Sequence, residues 1–251
     1  MRIEYADVSL IGDREDNQDR VTVAVSEKAA LLIVIDGMGG HSDGSRAADT
    51  ALKSLLDSFH QSQQGQQPLF DPLGFLHMSL SKAHDDVARL GSDQSIDARP
   101  RATTAICLVQ EGAAYWAHVG DSRVYLIRRG NVETRTRDHS HVELLLREGK
   151  ITEDEVSTHP MRNFVECCLG GDPAIPEMTI SGRHPLQPGD VLLLCSDGIW
   201  ANLRDPDIAA FFRGDPENLR AWLEALGRRA VQASAPFSDN STAAVLRWQG
   251  N

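Results

Sequence analysis

Apolar residues recur along this chain with two different periods, and each period predicts a different kind of element. Apolar runs that alternate with polar residues, or that end at glycine-rich or acidic turns, predict β-strands. Such runs lie at 3–10, 21–25, 31–35, 103–110, 113–119, 122–128, 177–181, 191–195 and 243–248. Apolar residues three or four positions apart predict amphipathic helices. These stretches lie at 45–60, 72–90, 142–146, 206–212 and 216–233.

The order of the predicted elements indicates a single domain over residues 1–251. Two sets of strands each have helices beside them, and no internal repeat or low-complexity tract divides the chain. This arrangement favours one layered core over two separate domains. Residues 138–170 differ, because predicted helices interrupt the strands there and Thr152 to Glu155 form a capping-box pattern. An insertion of this kind predicts a lid over a site.

Composition narrows the class of protein. The chain has 251 residues, of which 41% are hydrophobic and 24% are charged, and its formal net charge is −11. These proportions are typical of a soluble globular protein, and the negative charge argues against nucleic-acid and polybasic membrane partners. No apolar run reaches the roughly 18 residues needed to span a bilayer, and the N-terminus lacks the apolar segment of a signal peptide. We therefore expect a cytoplasmic monomer that binds neither nucleic acid nor membrane.

The cysteine and histidine residues form no recognisable disulfide or zinc pattern. The cysteines occupy positions 107, 167, 168 and 195, and no two of them form a C-x-x-C motif. We expect them to be small buried hydrophobic residues. Three histidines lie in the insertion, at 139, 141 and 159, and none has an i, i+4 partner with supporting cysteine or glutamate ligands. Zinc binding by these histidines is therefore disfavoured.

Five aspartates share one local design: each lies in a loop that borders an apolar strand and has small or polar neighbours. They are Asp19, Asp36, Asp121, Asp197 and Asp239. A single Asp-Gly pair after a strand is usually an ordinary tight turn. Five such positions favour a cluster of oxygen ligands, since strands of one sandwich bring their ends to a common cleft and cations offset the like-charge repulsion. A donor set of this kind selects magnesium or manganese over zinc or copper.

Six short motifs occur in the order and at the spacing seen in metal-dependent serine/threonine protein phosphatases of type 2C, which this chain resembles. They are Arg14-x-x-Asn17-Gln18-Asp19, Asp36-Gly-Met-Gly-Gly40, Thr103-Thr104, Gly120-Asp121-Ser122-Arg123, Ser196-Asp197-Gly198 and Asp239-Asn240. The resemblance runs from about Ile3 to Trp248 and is to the bacterial branch of the family. The features of that branch are Gly12 to Asp19, the loop from Asp36 to His41, Asp138-His-Ser140, and His159-Pro-x-Arg-Asn163 with Leu169-Gly170.

The resemblance implies an α+β fold, a four-layer αββα sandwich in which two antiparallel β-sheets face each other between helices. A helical flap at about 138–170 would lie beside a cleft that holds two ions of Mn²⁺ or Mg²⁺, and a third ion in some relatives. The implied metal residues are Asp36 as the bridge, Asp197 and Asp239 for the first ion, Asp19 and the carbonyl of Gly37 for the second, and Asp121 for the third.

The implied reaction is hydrolysis of phosphoserine and phosphothreonine in proteins. Two cations that share a water molecule lower its pKa and aim it at phosphorus. Arg14 would hold two phosphate oxygens in a bidentate fork that lysine does not reproduce. No phosphoenzyme forms in this mechanism, so the resemblance gives the cysteines no catalytic role.

Two positions depart from the pattern of many relatives. Gln18 stands where many have glutamate, which leaves the carboxylate work of the second ion to Asp19. Met38 stands where eukaryotic relatives have the histidine that resembles a general acid. A metal-bound water or His41 would then protonate the leaving oxygen, and His41 is also a candidate for positioning phosphate. The alternative for His41 is a loop histidine exposed to solvent, so the acid is left unassigned.

The resemblance implies phosphorylated proteins as substrates and a bacterial serine/threonine kinase as the enzyme whose action this chain opposes. His141 and the vicinal pair Cys167-Cys168 also resemble features of phosphatases that accompany the kinase of type VI secretion systems. Two alternatives of other classes are a degenerate phosphoprotein-binding module and a partner-regulated stress-signalling switch. The intact aspartates argue against the first. Another magnesium-dependent phosphohydrolase would need an Asp-x-Asp nucleophile motif near the N-terminus, which this sequence lacks.

Overall fold

The structure is a computed structural model, and it describes residues 1–39, 43–65, 68–156, 158–214 and 218–250. The strands of these residues are β1 (Arg2–Leu10), β2 (Asp19–Val25), β3 (Ala29–Met38), β4 (Arg101–Gln110), β5 (Ala113–Val119), β6 (Arg123–Arg128), β7 (Asn131–Arg135), β8 (Leu169–Gly170), β9 (Thr179–Ile180), β10 (His184–Pro185), β11 (Val191–Cys195) and β12 (Ser241–Gly250). The helices are α1 (Asp43–Ser62), α2 (Pro72–Leu90), α3 (His141–Arg147), α4 (Glu153–Val156), α5 (Asp197–Trp200), α6 (Asp205–Ala210) and α7 (Leu219–Ser234), with a 3₁₀ turn at Ile96–Ala98. No helix of the described ranges has the length and apolar character needed to cross a membrane.

The strands form two antiparallel sheets. The first has the order β1-β12-β11-β6-β7. The second has the order β10-β5-β4-β3-β2, with β8 beside β4 and β9 beside β5. The first and last long strands, β1 and β12, are neighbours, so the two ends of the described chain meet in one sheet.

The alternation of side chains along β3 shows why the sheets stack into layers. Leu31, Ile33 and Ile35 pack against α1 and α2, whereas Leu32 and Val34 pack between the two sheets. Successive residues of a strand point to opposite faces, so a strand that is apolar on both faces must be covered on both. On the far side of the first sheet, α5, α6 and α7 cover a third apolar cluster. The predicted αββα sandwich with two antiparallel sheets is confirmed.

Sequence periodicity missed several short elements, and for β7 and α5 the physical reason is clear. β7 contains one large apolar residue, Val132, and lies at the edge of its sheet, so it has no apolar face to mark it. α5 has four residues, too few to show a helical period. The prediction of a strand at 177–181 was too long, because only Thr179–Ile180 pair with β5.

The flap begins and ends side by side. Ser140 forms a β-bridge with Val165, the amide of His141 donates to the carbonyl of Phe164 at 3.0 Å, and that of Glu166 donates to the carbonyl of His139 at 2.8 Å. The capping-box pattern is present in part, because the Glu155 carboxylate accepts from the Thr152 amide at 2.7 Å before the short helix α4. These contacts tie the two ends of the insertion together beside the sheets. The single domain over 1–251 stays a prediction.

Candidate metal centre

The predicted aspartates are carried by strand ends that meet at one edge of the sandwich. Asp19 is the first residue of β2 and pairs directly with Asp36 of β3. Asp121 follows β5, Asp197 begins α5 after β11, and Asp239 precedes β12. The prediction that all five lie in loops was wrong for Asp19, Asp36 and Asp197. The β2–β3 pairing continues past the apolar run, and a turn of helix starts directly at the end of β11.

A cleft of about 660 Å³ opens at this edge. Its lining includes predicted site residues Arg14, Asp36, Gly37, Asp121, Asp197 and Asp239, together with Met38 and with Asn163 and Val165 of the flap. Asp19 is not among the lining residues: it is only 3% exposed, and its Oδ2 accepts a hydrogen bond from Ser196 Oγ at 2.8 Å. His41 lies outside the described residues.

The carboxylates of the site destabilise one another's charge. Burial raises the pKa of Asp36 well above its usual value, and the charges of Asp19, Asp197 and Asp121 raise it further. Burial likewise raises the pKa of Asp19 to about 7 and that of Asp197 to about 6. Removing carboxylates from water and placing them beside like charges disfavours the ionised forms. A divalent cation among them would reverse both effects.

The donor chemistry fits a hard divalent cation, but the side chains do not form a closed cage. Aspartates from several elements line the cleft, and no histidine or cysteine is among its described lining residues. No three His, Cys, Asp or Glu side chains of the described ranges are arranged as a ready ligand set. Mg²⁺ typically keeps several water ligands and takes only one or two protein carboxylates per ion. An open, carboxylate-rich cleft is the arrangement that such ions favour over zinc.

Arg14 and Asp239, predicted to hold different ligands, bind each other in the structure. Arg14 Nε donates to Asp239 Oδ1 at 2.9 Å and Nη2 donates to Oδ2 at 2.7 Å. The hydrogen bond and charge of Asp239 raise the pKa of Arg14. The guanidinium is therefore in direct hydrogen-bond contact with a proposed metal ligand. A phosphate bound by Arg14 would lie next to an ion bound by Asp239. Binding both ligands requires this pair to open or to share its donors.

The loop that carries Arg14 is fastened to the loop that carries Asp239. Asn240 Nδ2 donates to the carbonyls of Ile11 at 2.9 Å and Asp16 at 3.0 Å, and its Oδ1 accepts from the amide of Gln18 at 2.8 Å. Asp13 Oδ2 accepts from Ser238 Oγ at 2.7 Å. Sequence reasoning quoted Asn240 only as part of a motif and assigned it no role. Its three bonds show that it sets the distance between the two loops.

The packing of the backbone around residue 37 leaves no room for a side chain there. A Cβ on Gly37 would lie 2.1 Å from the carbonyl oxygen of Gly44 at the start of α1 and 2.8 Å from that of Gln18. Both contacts are with backbone atoms, which cannot rotate away. The sequence prediction gave this glycine the role of letting a ligand approach. The structure shows in addition that it lets α1 and Gln18, the residue before β2, approach the residue that follows Asp36.

Gly37→Ala is expected to lower the free energy of unfolding by about 1–3 kcal/mol, the usual cost of forcing atoms into a packed site. It should also lower phosphatase activity, because the displaced backbone carries Asp36. Thermal unfolding and p-nitrophenyl phosphate hydrolysis would measure the two effects. Gly182→Ala is the matched control, since a Cβ at that glycine meets nothing within 4 Å. Equal behaviour of the two variants would contradict the steric argument.

The flap histidines and the cysteines can be compared with their predictions, which disfavoured zinc binding by the histidines and expected the cysteines to be buried. Two flap histidines have other partners: His139 Nε2 is 2.8 Å from Thr179 Oγ1, and His141 Nδ1 is 3.0 Å from Glu166 Oε1. Cys107 and Cys195 are fully buried among apolar residues, and burial raises the pKa of both thiols. The vicinal cysteines are half-buried. Histidine zinc ligation thus remains disfavoured, and the prediction of buried cysteines is confirmed at 107 and 195.

Comparison with known proteins gives concordant results in sequence and structure. The sequence profile described as Protein phosphatase 2C matches residues 8–234. Protein phosphatase PhpP of Streptococcus pneumoniae is 32% identical over 250 residues, 96% of either chain. The catalytic domain of serine threonine protein phosphatase PstP, solved in complex with two manganese ions, has a TM-score of 0.81 at 27% identity and 99% coverage of both chains. PppA, described as a key regulatory component of T6SS in Pseudomonas aeruginosa, has a TM-score of 0.79 at 26% identity and 98% coverage of both.

Proposed function

The chain belongs to the protein phosphatase 2C family, and we propose that it hydrolyses phosphoserine and phosphothreonine in proteins at the cleft beside Asp36, with two divalent cations, Mn²⁺ or Mg²⁺. One observation carries the proposal: four aspartates from separate elements line the same cleft as Arg14. Buried like charges are costly. A fold that holds several buried carboxylates together is therefore stabilised when cations bind among them. The relatives named phosphatases and the manganese-bound structural neighbour support the same reading.

The proposed ligand assignment is the one that the family resemblance implies, and the lining of the cleft supports it. Asp36, Asp197 and Asp239 would hold the first ion, and Asp36 with the Gly37 carbonyl would hold the second. Asp121 would hold a third ion more weakly. When bound, the ions supply a water molecule of lowered pKa and neutralise charge on the phosphoryl oxygens.

Asp19 differs from the other proposed ligands, because its buried carboxylate accepts from Ser196 and does not line the cleft, although Asp19 is the cross-strand partner of Asp36. We propose that it acts on the second ion as an outer partner. In that role it would supply negative charge and help to orient the groups that hold the ion. An outer partner of this kind typically changes metal affinity 10–100-fold.

Arg14 performs the substrate-binding part of the proposed reaction. Its planar guanidinium presents two parallel N–H donors, which match two oxygens of a phosphoryl group. In the structure those donors already hold a carboxylate in this geometry. Once Arg14 has released Asp239 or shares its donors with it, the same fork can hold the phosphoryl oxygens and stabilise the charge that bond breaking shifts onto them.

The proton donor to the leaving oxygen stays unassigned. Met38 lines the cleft at the position after Gly37, and a thioether cannot donate a proton. No histidine is among the described lining residues, and His41 is outside the described ranges. The assignment of His41 as a phosphate-positioning residue therefore stays a prediction.

Hydrolysis of p-nitrophenyl phosphate and of a phosphothreonine peptide tests the function. Activity should require Mn²⁺ or Mg²⁺ and should disappear when EDTA is in excess. Hydrolysis that persists in EDTA would refute the metal mechanism. Binding of the phosphopeptide without turnover, at any divalent ion, would favour the alternative of a phosphoprotein-binding module with this fold.

We further propose that the physiological substrates are products of a serine/threonine kinase whose action this protein reverses. The similarity to PppA supports a kinase of a type VI secretion system in that role. A cytoplasmic location and a monomeric state stay predictions.

A further inference from the structure

Arg123, in the Gly120-Asp121-Ser122-Arg123 motif, has no task in the proposed reaction, although the structure surrounds its side chain with contacts. Its side chain is 10% exposed, and it donates from Nε and Nη2 to the two carboxylate oxygens of Asp138 at 2.8 and 2.7 Å. Nη1 donates to the hydroxyl of Tyr125 at 3.2 Å. Every nitrogen of the guanidinium thus has a partner.

The partner Asp138 is the first residue of the flap. The next flap residue, His139, donates from its amide to the carbonyl of Gly120 at 2.9 Å and accepts from the Gly120 amide on Nδ1 at 3.3 Å. Four hydrogen bonds therefore join two consecutive flap residues to a single four-residue turn. That turn carries Asp121, a proposed metal ligand. We call this arrangement, formed by residues 120–123 and 138–139, the clasp.

The same guanidinium also contacts the segment that carries a second metal ligand. The Arg123 guanidinium carbon lies 3.6 Å from the centre of the Trp200 ring. Trp200 is the last residue of α5, whose first residue is Asp197. A guanidinium stacked on an indole in this way gains cation–π energy that is largest when both groups are removed from water. Arg123 thus touches the turn of one ligand, the helix of another and the base of the flap.

We propose that Arg123 is a positioning residue that couples the flap to the metal ligands Asp121 and Asp197, so that the flap wall of the cleft and the ion site are set together. The proposal rests on the proposed metal function of the cleft. Asn163 and Val165, which line the cleft from the flap, are held through the bridge between Ser140 and Val165, two residues from Asp138. A displacement of the clasp residues would therefore move both the flap residues that line the cleft and the proposed metal ligands.

Lysine at position 123 would keep the charge but lose the paired bonds of the clasp that Arg123 makes to Asp138. An ammonium group is a point charge that cannot make two parallel bonds to a carboxylate or stack flat on an indole. Arg123→Lys should therefore remove the paired hydrogen bonds to Asp138 and the contact with the Trp200 ring, and it should keep a buried positive charge opposite Asp138. Asp138→Asn is the second variant, because it keeps the size of the side chain and removes the charge on the other side of the pair.

The chain offers a close control at the opposite end of the same strand. Arg128, the last residue of β6, donates from Nε and Nη2 to the two oxygens of Asp190 at 2.8 Å each. Asp190 is 1% exposed, as buried as the partner of Arg123. This pair has the same geometry but touches neither the flap nor a proposed ligand. Arg128→Lys should thus lower the free energy of unfolding as Arg123→Lys does, but it should leave the flap and the proposed metal ligands in place.

The test compares wild-type protein, Arg123→Lys, Asp138→Asn and Arg128→Lys by three measurements. Thermal unfolding in EDTA reports stability. Calorimetric titration of the metal-free protein with Mn²⁺ reports ion affinity, and steady-state kinetics give kcat and KM for p-nitrophenyl phosphate and for a phosphothreonine peptide.

Arg123→Lys and Asp138→Asn should weaken Mn²⁺ binding about tenfold, the usual lower limit for loss of a group that orients metal ligands. They should also raise KM for the peptide more than KM for p-nitrophenyl phosphate, since only the peptide extends to the flap. Arg128→Lys should lose similar stability and change neither quantity. If Arg123→Lys and Asp138→Asn match Arg128→Lys in Mn²⁺ affinity and in the ratio of the two KM values, the proposal is overturned and Arg123 is structural only. Calorimetry decides this even if the wild-type protein hydrolyses neither substrate, a result that would reject the proposed function alone.

Discussion

Asp36→Asn is expected to lower kcat/KM for p-nitrophenyl phosphate and phosphopeptide by about three orders of magnitude, because it removes the carboxylate proposed to bridge the two ions. Calorimetric titration with Mn²⁺ should show the loss of high-affinity binding in the same variant. The amide has nearly the same size and keeps one oxygen donor, so the effect isolates the charge. Retention of both Mn²⁺ binding and activity would remove Asp36 from the metal centre.

The same substitution should stabilise the protein when EDTA is present. The pKa of Asp36 is raised by burial and by neighbouring carboxylates, and the pKa values of Asp19 and Asp197 are raised to about 7 and about 6. A carboxyl group with a raised pKa in the folded state binds protons more tightly there, so folding stability falls as pH rises from about 4 towards these values. At pH 7.5, well above the ordinary pKa of an aspartate, the titratable group at position 36 therefore lowers the free energy of unfolding, and asparagine removes that cost because it does not titrate.

Asp190→Asn is the matched control for that experiment. Asp190 is also a buried aspartate, but it is paired with Arg128 at the other end of β6. Breaking a buried pair on one side typically costs about 3–5 kcal/mol. We expect this variant to lose stability and to keep Mn²⁺ binding, the reverse of Asp36→Asn. The two melting curves in EDTA should therefore shift in opposite directions.

Arg14→Ala is expected to lower kcat/KM for phosphopeptide about 100-fold, with KM raised and kcat lowered, because both donors to the phosphoryl oxygens are lost. Arg14→Lys should recover little of this, since an ammonium group lacks the fork. Mn²⁺ affinity should not fall in either variant. Removing Arg14 leaves Asp239 without a competing cation, so binding at that ligand is unchanged or tighter.

The split between ion binding and substrate binding distinguishes Arg14 from the aspartates. Arg204→Ala is the control, because Arg204 is an exposed arginine that pairs with Asp207 at 2.8 Å and does not line the cleft. It should leave kcat, KM and Mn²⁺ affinity unchanged. Unchanged kinetics in Arg14→Ala as well would remove the phosphate-binding role of Arg14.

Most of the secondary structure follows from local periodicity. β3, β11 and β12 are apolar on both faces, and a strand of this kind is buried wherever the chain goes. The helix predicted at about 72–90 from its apolar spacing agrees with α2, and the structure adds that Asp71 caps its start by accepting from the Gly74 amide at 2.9 Å. The edge strand β7 and the single turn α5 escaped prediction, because neither is long or apolar enough to show a period.

Some features of the candidate site were also predictable from the sequence, and others were not. The sequence identified the aspartates of the site, because an acidic strand end repeated five times favours a shared ligand, whereas Arg14 was identified through the family resemblance. It placed Asp19, Asp36 and Asp197 in loops, since neither strand pairing nor a four-residue helix has a signature in the sequence. It also treated Arg14 and Asp239 as separate ligand groups. Their direct pairing depends on contacts between segments 225 positions apart, and such contacts leave no local pattern.

The sequence by itself determined which chemistry this protein can perform, because carboxylates, a guanidinium and glycines carry their chemistry wherever they lie. It also determined the layers, because two-sided apolar strands and one-sided helices can be buried in few ways. Only the tertiary structure decided how these groups act on one another. Burial sets the raised pKa values of the aspartates, and backbone packing of α1 explains why residue 37 is glycine. The stacking of Arg123 on Trp200 joins a turn, a helix and a flap that are distant in the chain. Such couplings depend on distances between side chains, which are fixed only when the layers close.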